Sequence, residues 1–229
     1  MTHAKECTHC GTCCEKGGPA LHRQDLALLE KASLSIEDLI TIRKGELVHC
    51  PSTNTIKPAK AEFLKIKGTK GSWSCTFYNK NSRRCTRYDN RPISCGALKC
   101  WDTQESLNLA GKDLISRLEV VKENDPMREA LIAHELLFPL PDLAAVSRPS
   151  KKRVKKLEQI CNKEIAHRIQ AVGEFNLSVA QEMFYFGRPI FGLLAPLGFT
   201  VKEAGTGIKL RFKYPPPVNR HFFSPRPAP

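Results

Sequence analysis

Cys7-Thr8-His9-Cys10-Gly11-Thr12-Cys13-Cys14 places four thiols within eight residues near the start of the chain. Two successive Cys-x-x-Cys steps let the sulfurs converge on one point from a tight turn. Gly11 supplies a backbone position free to take a positive φ. Thiolates so placed hold a soft metal, either zinc or the iron of an iron–sulfur cluster. A single Cys-x-x-Cys also suits a redox dithiol, but two overlapping copies followed directly by another thiol do not read that way.

A second group stands at Cys75, Cys85, Cys95 and Cys100, at spacings of ten, ten and five. The two groups together make eight thiols, enough for a pair of tetrahedral all-thiolate zinc sites and more than a single [4Fe–4S] cluster takes. Adjacent side chains in extended chain point to opposite sides. Cys13 and Cys14 therefore serve different positions: one closes the first site and the other joins or bridges to a second, or is simply a small buried residue. His9, His22 and His49 lie near the thiols and are alternative zinc ligands. Cys50 and Cys161 fall outside both groups. Cys161 lies on the helical stripe Val154, Leu157, Cys161, Ile165, Ile169 and Val172 and is expected in the core.

The chain has 229 residues, 41% hydrophobic, and a formal charge of +13. It has no apolar run long enough for a membrane span. The polar start, without an apolar segment and a small-residue cleavage site, predicts no secretory signal and a cytoplasmic protein. In that compartment thiols stay reduced, so ten cysteines point to metal ligation rather than disulfides. Bound thiolates would offset part of the positive charge.

The periodicities predict an α+β chain in three parts. Residues 1–101 form a small Cys-rich metal-binding domain. It has short helices over 22–32 and 36–44, the second opened by Ser35 with Asp38 and stopped by Gly45. Short strands follow over 46–50, 63–67 and 73–78. Asn79-Lys80-Asn81-Ser82 reads as a turn that would let Cys75 and Cys85 face each other across a hairpin, and Pro92 opens a helical turn carrying Cys95. Residues 102–214 read as mainly helical, with a helix start at Asp125-Pro126, another at Ser178 with Gln181, and a closing β-hairpin around Gly205-Thr206-Gly207. Residues 215–229 are Pro-rich and expected to be disordered.

Past the opening motif the sequence continues with Cys75-Thr76-Phe77-Tyr78 and then Cys85-Thr86-Arg87-Tyr88-Asp89-Asn90-Arg91-Pro92-Ile93-Ser94-Cys95. In the order and spacing of these three pieces the chain resembles the cysteine-cluster family known by its CxxCxxCC motif, a zinc- or iron-chelating domain. The resemblance covers residues 5–101, with Cys100 just past its shared core, and implies a metal-binding domain without fixing the metal or a reaction. Beside the closing motif, Tyr88 can pack its ring against the centre and Arg91 can neutralise ligand sulfurs.

Three functions compete on these residues. The first is a structural or redox metal centre, zinc or iron, with Cys7, Cys10, Cys13, Cys14, Cys75, Cys85, Cys95 and Cys100 as ligands. The second is a protein-modifying enzyme: a flagellin lysine-methylating group resembles this cysteine pattern, although no Gly-rich cofactor loop is visible. The third is a nucleic-acid-binding module, because Arg148, Lys151, Lys152, Arg153, Lys155 and Lys156 crowd one helix start. The 148–156 segment would suit a nucleic acid or an acidic protein surface, though few aromatics are present for stacking on bases.

Overall fold

A computed structural model describes residues 7–69, 72–146, 149–205 and 207–213. The expected disorder of 215–229 lies outside the described residues. The thiol loop ends in one turn of helix, α1 (Thr12–Glu15), and a short 3-10 turn leads into α2 (Leu26–Glu30). Ser35 and Asp38 form the anticipated capping box, the Ser35 amide donating to Asp38 Oδ2 at 2.9 Å. The helix it opens, however, lasts only from Ile36 to Asp38.

Residues 39–42 are strand β1 (Leu39–Ile42), not the helix expected over 36–44. The physical reason is local and tertiary at once. Leu-Ile-Thr-Ile is rich in β-branched side chains, and it pairs antiparallel with β4 (Phe63–Ile66), Leu39 opposite Ile66 and Ile42 opposite Phe63. Between them β2 (Leu47–Cys50) and β3 (Thr55–Pro58) form a second pair. The 73–78 stretch contributes only its end: β5 (Tyr78–Asn79) pairs with β6 (Arg84–Cys85). Tyr78, not Cys75, stands opposite Cys85.

Helices dominate from here: α3 (Ile93–Ala97), α4 (Gln104–Leu109), α5 (Arg117–Val120), α6 (Met127–Leu137), the 25-residue α7 (Lys151–Phe175), α8 (Val179–Phe186) and α9 (Ile190–Leu194). Helix α6 begins directly after Pro126, and the Ser178–Gln181 capping box opens α8. The hairpin of β7 (Phe199–Ala204) and β8 (Gly207–Phe212) closes the described chain. The fold is α+β, with helices and small antiparallel pairs.

One core cluster joins Leu21, Leu39, Leu64 and Ile66 to Ile115, Leu131, Phe184 and Phe186, and so draws on both sides of residue 101. A second packs α7 and α9 against the terminal hairpin, with Cys161 fully buried in it. The buried face of α7 is Leu157, Cys161, Glu164, Arg168 and Ala171. The apolar stripe expected over 154–172 is thus rotated in its second half, and Ile169 is 62% exposed.

Glu164 and Arg168 turn inward because partners wait there. Arg43, fully buried just past the end of β1, donates from Nε to Glu135 Oε1 at 2.8 Å and reaches Glu164 Oε1 at 3.4 Å. Arg117, equally buried, bonds Glu62 Oε2 at 2.6 Å and Glu135 Oε1 at 2.8 Å. Glu164 also accepts from the Ile190 amide at 2.7 Å and faces His134 Nε2 at 3.2 Å. The network ties the exit of β1 and the approach to β4 to α6, α7 and α9.

Candidate metal centre

Two close approaches set the thiol loop on the rest of the domain. Gly11 has φ 82° and lies against the Tyr78 ring, so that a Cβ there would strike the Tyr78 hydroxyl. Gly18 lies on Ile66, with no room for a side chain. Between these glycines runs α1 with Cys13 and Cys14. The Cys14 carbonyl accepts from the Cys75 amide at 2.8 Å, and Cys75 in turn bridges to Gly68. Thr86 N donates to Phe77 O at 2.8 Å and fixes the turn that brings Cys85 back.

Cys95 arrives on α3, held from an unexpected side. The Ile93 amide at the start of α3 donates to Asp25 Oδ1 at 2.9 Å, while Asp25 Oδ2 accepts from the His22 amide. The His22 ring spans Lys112 O at 2.8 Å and Ser94 Oγ at 2.7 Å. With a carbonyl as one partner, Nδ1 is the donor, and Nε2 accepts from the Ser94 hydroxyl. His22 therefore braces the residue beside Cys95 and keeps no nitrogen free for a metal. His49 bonds Asn54 Oδ1 at 2.9 Å, and His9 packs on the Tyr88 ring with centroids 5.3 Å apart. Arg91 stacks over the same Tyr88 ring at 4.0 Å.

All ten cysteines are free thiols. Cys13, Cys14, Cys75, Cys85 and Cys95 are electrostatic neighbours, drawn from the thiol loop, the approach to β5, β6 and α3. The Cys13 and Cys14 sulfurs lie 3.9 Å apart. Cys7, Cys10, Cys13 and Cys100 are exposed. Cys10 Sγ donates to Thr12 Oγ1 at 3.3 Å, and its carbonyl accepts from Arg83. Among the described residues no group of three or more His, Cys, Asp or Glu side chains is already arranged to hold a metal ion.

Burial, and then repulsion from Cys13, Cys85 and Cys75, push the Cys14 thiol up to about 12. Burial with Cys75, Cys13 and Cys85 does the same to Cys95, to about 12, against the opposing pull of Arg91. Burial also raises Cys75. Cys10 moves the other way, lowered by the Thr12 hydroxyl and amide. Clustered thiols cannot ionise together unless a cation joins them. The donor set thus fits a thiophilic cation, and the glycine contacts fix the seat of the loop that carries Cys13 and Cys14.

Residues 6–112 match the CxxCxxCC family, a putative zinc- or iron-chelating domain. No curated protein and no solved structure matches the chain. The family match supports metal binding in general terms. It runs past residue 101 and takes in Cys100 and Lys112, whose carbonyl holds His22. The CxxCxxCC segment therefore includes the strut behind Cys95 as well as the thiols. Motif spacing does not reveal the bracing role of His22, nor Asp25 or Lys65, which sits on β4 and donates to the Gly18 carbonyl. The available signal for Lys65 was its place between the apolar Leu64 and Ile66, which turns it away from their face.

Proposed function

We propose that the N-terminal half is a thiolate metal centre, binding zinc or an iron–sulfur cluster in a structural or redox role. Cys7, Cys10, Cys13, Cys14, Cys75, Cys85, Cys95 and Cys100 are its ligand set. The observation that carries this reading is the gathering of Cys13, Cys14, Cys75, Cys85 and Cys95 from separate segments into one neighbourhood, where burial and the neighbouring sulfurs oppose ionisation of Cys14, Cys75 and Cys95. A bound cation supplies the charge that lets these thiols exist as thiolates. The residues do the rest: Gly11 and Gly18 seat the loop, Asp25 and His22 hold the Cys95 turn, and Arg91 lends positive charge. Reduced thiols suit the cytoplasm, where we place the protein; among the described residues no helix is long and apolar enough to cross a membrane.

Metal analysis of anaerobically purified protein, with its absorption spectrum, tests this. A brown protein absorbing in the visible violet holds an iron–sulfur cluster, and a colourless one with stoichiometric zinc holds zinc. Neither metal above trace overturns the reading.

A second surface supports an anionic partner, a nucleic acid or an acidic protein. Lys151 and Lys155 on α7 and Lys209 and Arg211 on β8 line one groove of about 610 Å³ with Val154 and Phe212, four cations against the single carboxylate of Glu158, which pairs with Lys209 at 3.1 Å. Lys152, Arg153 and Lys156 are exposed beside it on the first turns of α7, while Arg148 lies outside the described residues. Positive side chains there oppose the helix dipole, which an anion would relieve. Binding of an oligonucleotide that weakens steeply with salt supports the nucleic acid; binding of neither an oligonucleotide nor a polyglutamate peptide overturns this reading.

A further inference from the structure

The strand under the thiol loop carries a lysine that reaches the backbone of that loop. In β4 the side chains of Leu64 and Ile66 are fully buried in the first core cluster, so Lys65 projects from the opposite face. Its backbone is fixed on both sides, paired with Ile40 on β1 and bridged to Ala20, which follows the thiol loop. The Lys65 ammonium donates to the Gly18 carbonyl and lies within 3.3 Å of where a Cβ on Gly17 would stand. It is thus tucked under the Gly17-Gly18 turn, which follows α1 with Cys13 and Cys14. Among the described residues Lys65 forms no ion pair with Asp or Glu.

Lys65 is half-buried, and an ammonium even partly withdrawn from water is best held beside an anion. The turn Lys65 supports follows Cys13 and Cys14, and the Cys14 carbonyl holds the Cys75 amide at 2.8 Å, so the ammonium stands against the loop that joins the two cysteine groups; ionised Cys75 and Cys95 would favour its charge, while Arg188 opposes it. Four thiolates around a divalent ion, or around an oxidised [4Fe–4S] core, leave excess negative charge, which a partly buried site holds poorly unless a fixed positive charge is near. Lys65 and the thiols each lack what the other supplies.

We propose that Lys65 is the built-in counter-charge of the thiolate centre, strengthening its hold on the metal without touching it. The proposal rests on the metal-binding reading above. Unlike Arg91, which stacks in the open on an exposed Tyr88, Lys65 is locked in a paired strand and keeps its position whether or not the loop moves.

The test uses Lys65→Met, Lys65→Gln and Lys65→Arg in the full chain, with Zn2+ affinity measured by competition against a chromophoric chelator and the fold followed by circular dichroism. Lys65→Gln keeps a hydrogen-bond donor for the Gly18 carbonyl and loses only the charge, so it also serves if Lys65→Met does not fold. Both neutral variants should lose about 10- to 100-fold in Zn2+ affinity, the range seen when outer residues of metal sites are removed, with stoichiometry unchanged. Lys65→Arg should recover most of that loss, and the gap between Lys65→Gln and wild type should narrow as salt is raised. If Lys65→Gln binds Zn2+ as tightly as wild type, or Lys65→Arg binds as poorly as Lys65→Gln, the charge role is overturned. If the wild type itself takes up neither zinc nor iron, the metal-binding reading falls first, and the two failures are told apart by that control.

Discussion

The Cys75 amide donates to the Cys14 carbonyl at 2.8 Å, a bond between distant parts of the chain that joins the two cysteine groups through their backbones before any metal is considered. Because the partners are backbone atoms, replacing either side chain leaves the bond in place. Ligand substitutions can therefore be read as losses of sulfur rather than as losses of the contact.

Cys85→Ser and Cys95→Ser should each lower metal stoichiometry and loosen the N-terminal half, since binding and folding are coupled. Cys161→Ala should keep full metal and cost about 1 kcal/mol in denaturant unfolding, as for a small buried side chain. Metal content of each purified variant decides the matter; full metal in both serine variants with loss in Cys161→Ala would reverse the assignment.

Gly11→Ala should be more damaging than a surface alanine usually is. It combines a positive φ with a Cβ driven into the Tyr78 hydroxyl, and the backbone part alone costs about 1–2 kcal/mol for a residue with a Cβ. Metal affinity should fall with stability, whereas Gly96→Ala, with nothing near its added Cβ, should leave affinity unchanged. Parallel chelator competitions on the two variants provide the comparison.

Metal uptake should release protons and strengthen as pH rises. Without metal, Cys14 and Cys95 are held up to about 12 by burial and neighbouring thiols, so both are protonated near neutrality and must deprotonate to ligate. Zinc titrated into weakly buffered protein should acidify the solution, and the apparent affinity should drop as the pH is lowered. An affinity that stays flat from about pH 8 to 6 would contradict thiol ligation.

The buried charge network should make the fold acid-sensitive. Burial holds His134 below its ordinary 6.5, helped by Arg43 and Arg168 and opposed by Glu164. Below that value the unfolded chain takes up a proton that the folded chain resists, so stability declines as pH falls. Burial tends to raise Glu135 and Glu164, but Arg43 and Arg117 around the first, and His134 with Arg168 around the second, leave both below the usual carboxylate value. Their contribution is present above about 4.5 and is lost as pH falls further through their folded values. Denaturant midpoints measured stepwise from about pH 7.5 to 3.5 should hold steady at first, decline as pH passes below about 6.5 and decline again below about 4.5; midpoints that stay flat down to about pH 3.5 would contradict this linkage.

Arg43→Met should destabilise the whole described fold by about 3–5 kcal/mol, because it takes a guanidinium away from both Glu135 and the fully buried Glu164. Since Arg43 directly follows β1 while Glu135 and Glu164 belong to α6 and α7, tryptophan fluorescence and helical circular dichroism should report one shared transition. Separate transitions, with Arg43→Met affecting only one, would show that the network does not couple the two halves.

The sequence by itself marked the first half as a cysteine cluster of the zinc- or iron-chelating kind, and determined the α+β class, the breaks at Pro126 and Ser178 and the closing hairpin, because each is written in nearest neighbours: Cys-x-x-Cys steps, caps and alternation. It also marked Cys161 as core. What it left open depended on partners far along the chain. Residues 39–42 are strand because Phe63–Ile66 lies beside them. Glu164 and Arg168 face inward because Arg43, His134 and the Ile190 amide wait there, although periodicity favoured Ile165 and Ile169. Likewise His22 is a brace, Tyr78 rather than Cys75 opposes Cys85, and Lys65 reaches the Gly18 carbonyl of the thiol loop's exit. Local rules govern where a helix or turn can begin. Which face is buried, and which charge meets which sulfur, follows only when distant segments share one interior, where desolvation sets the cost of every unmatched group.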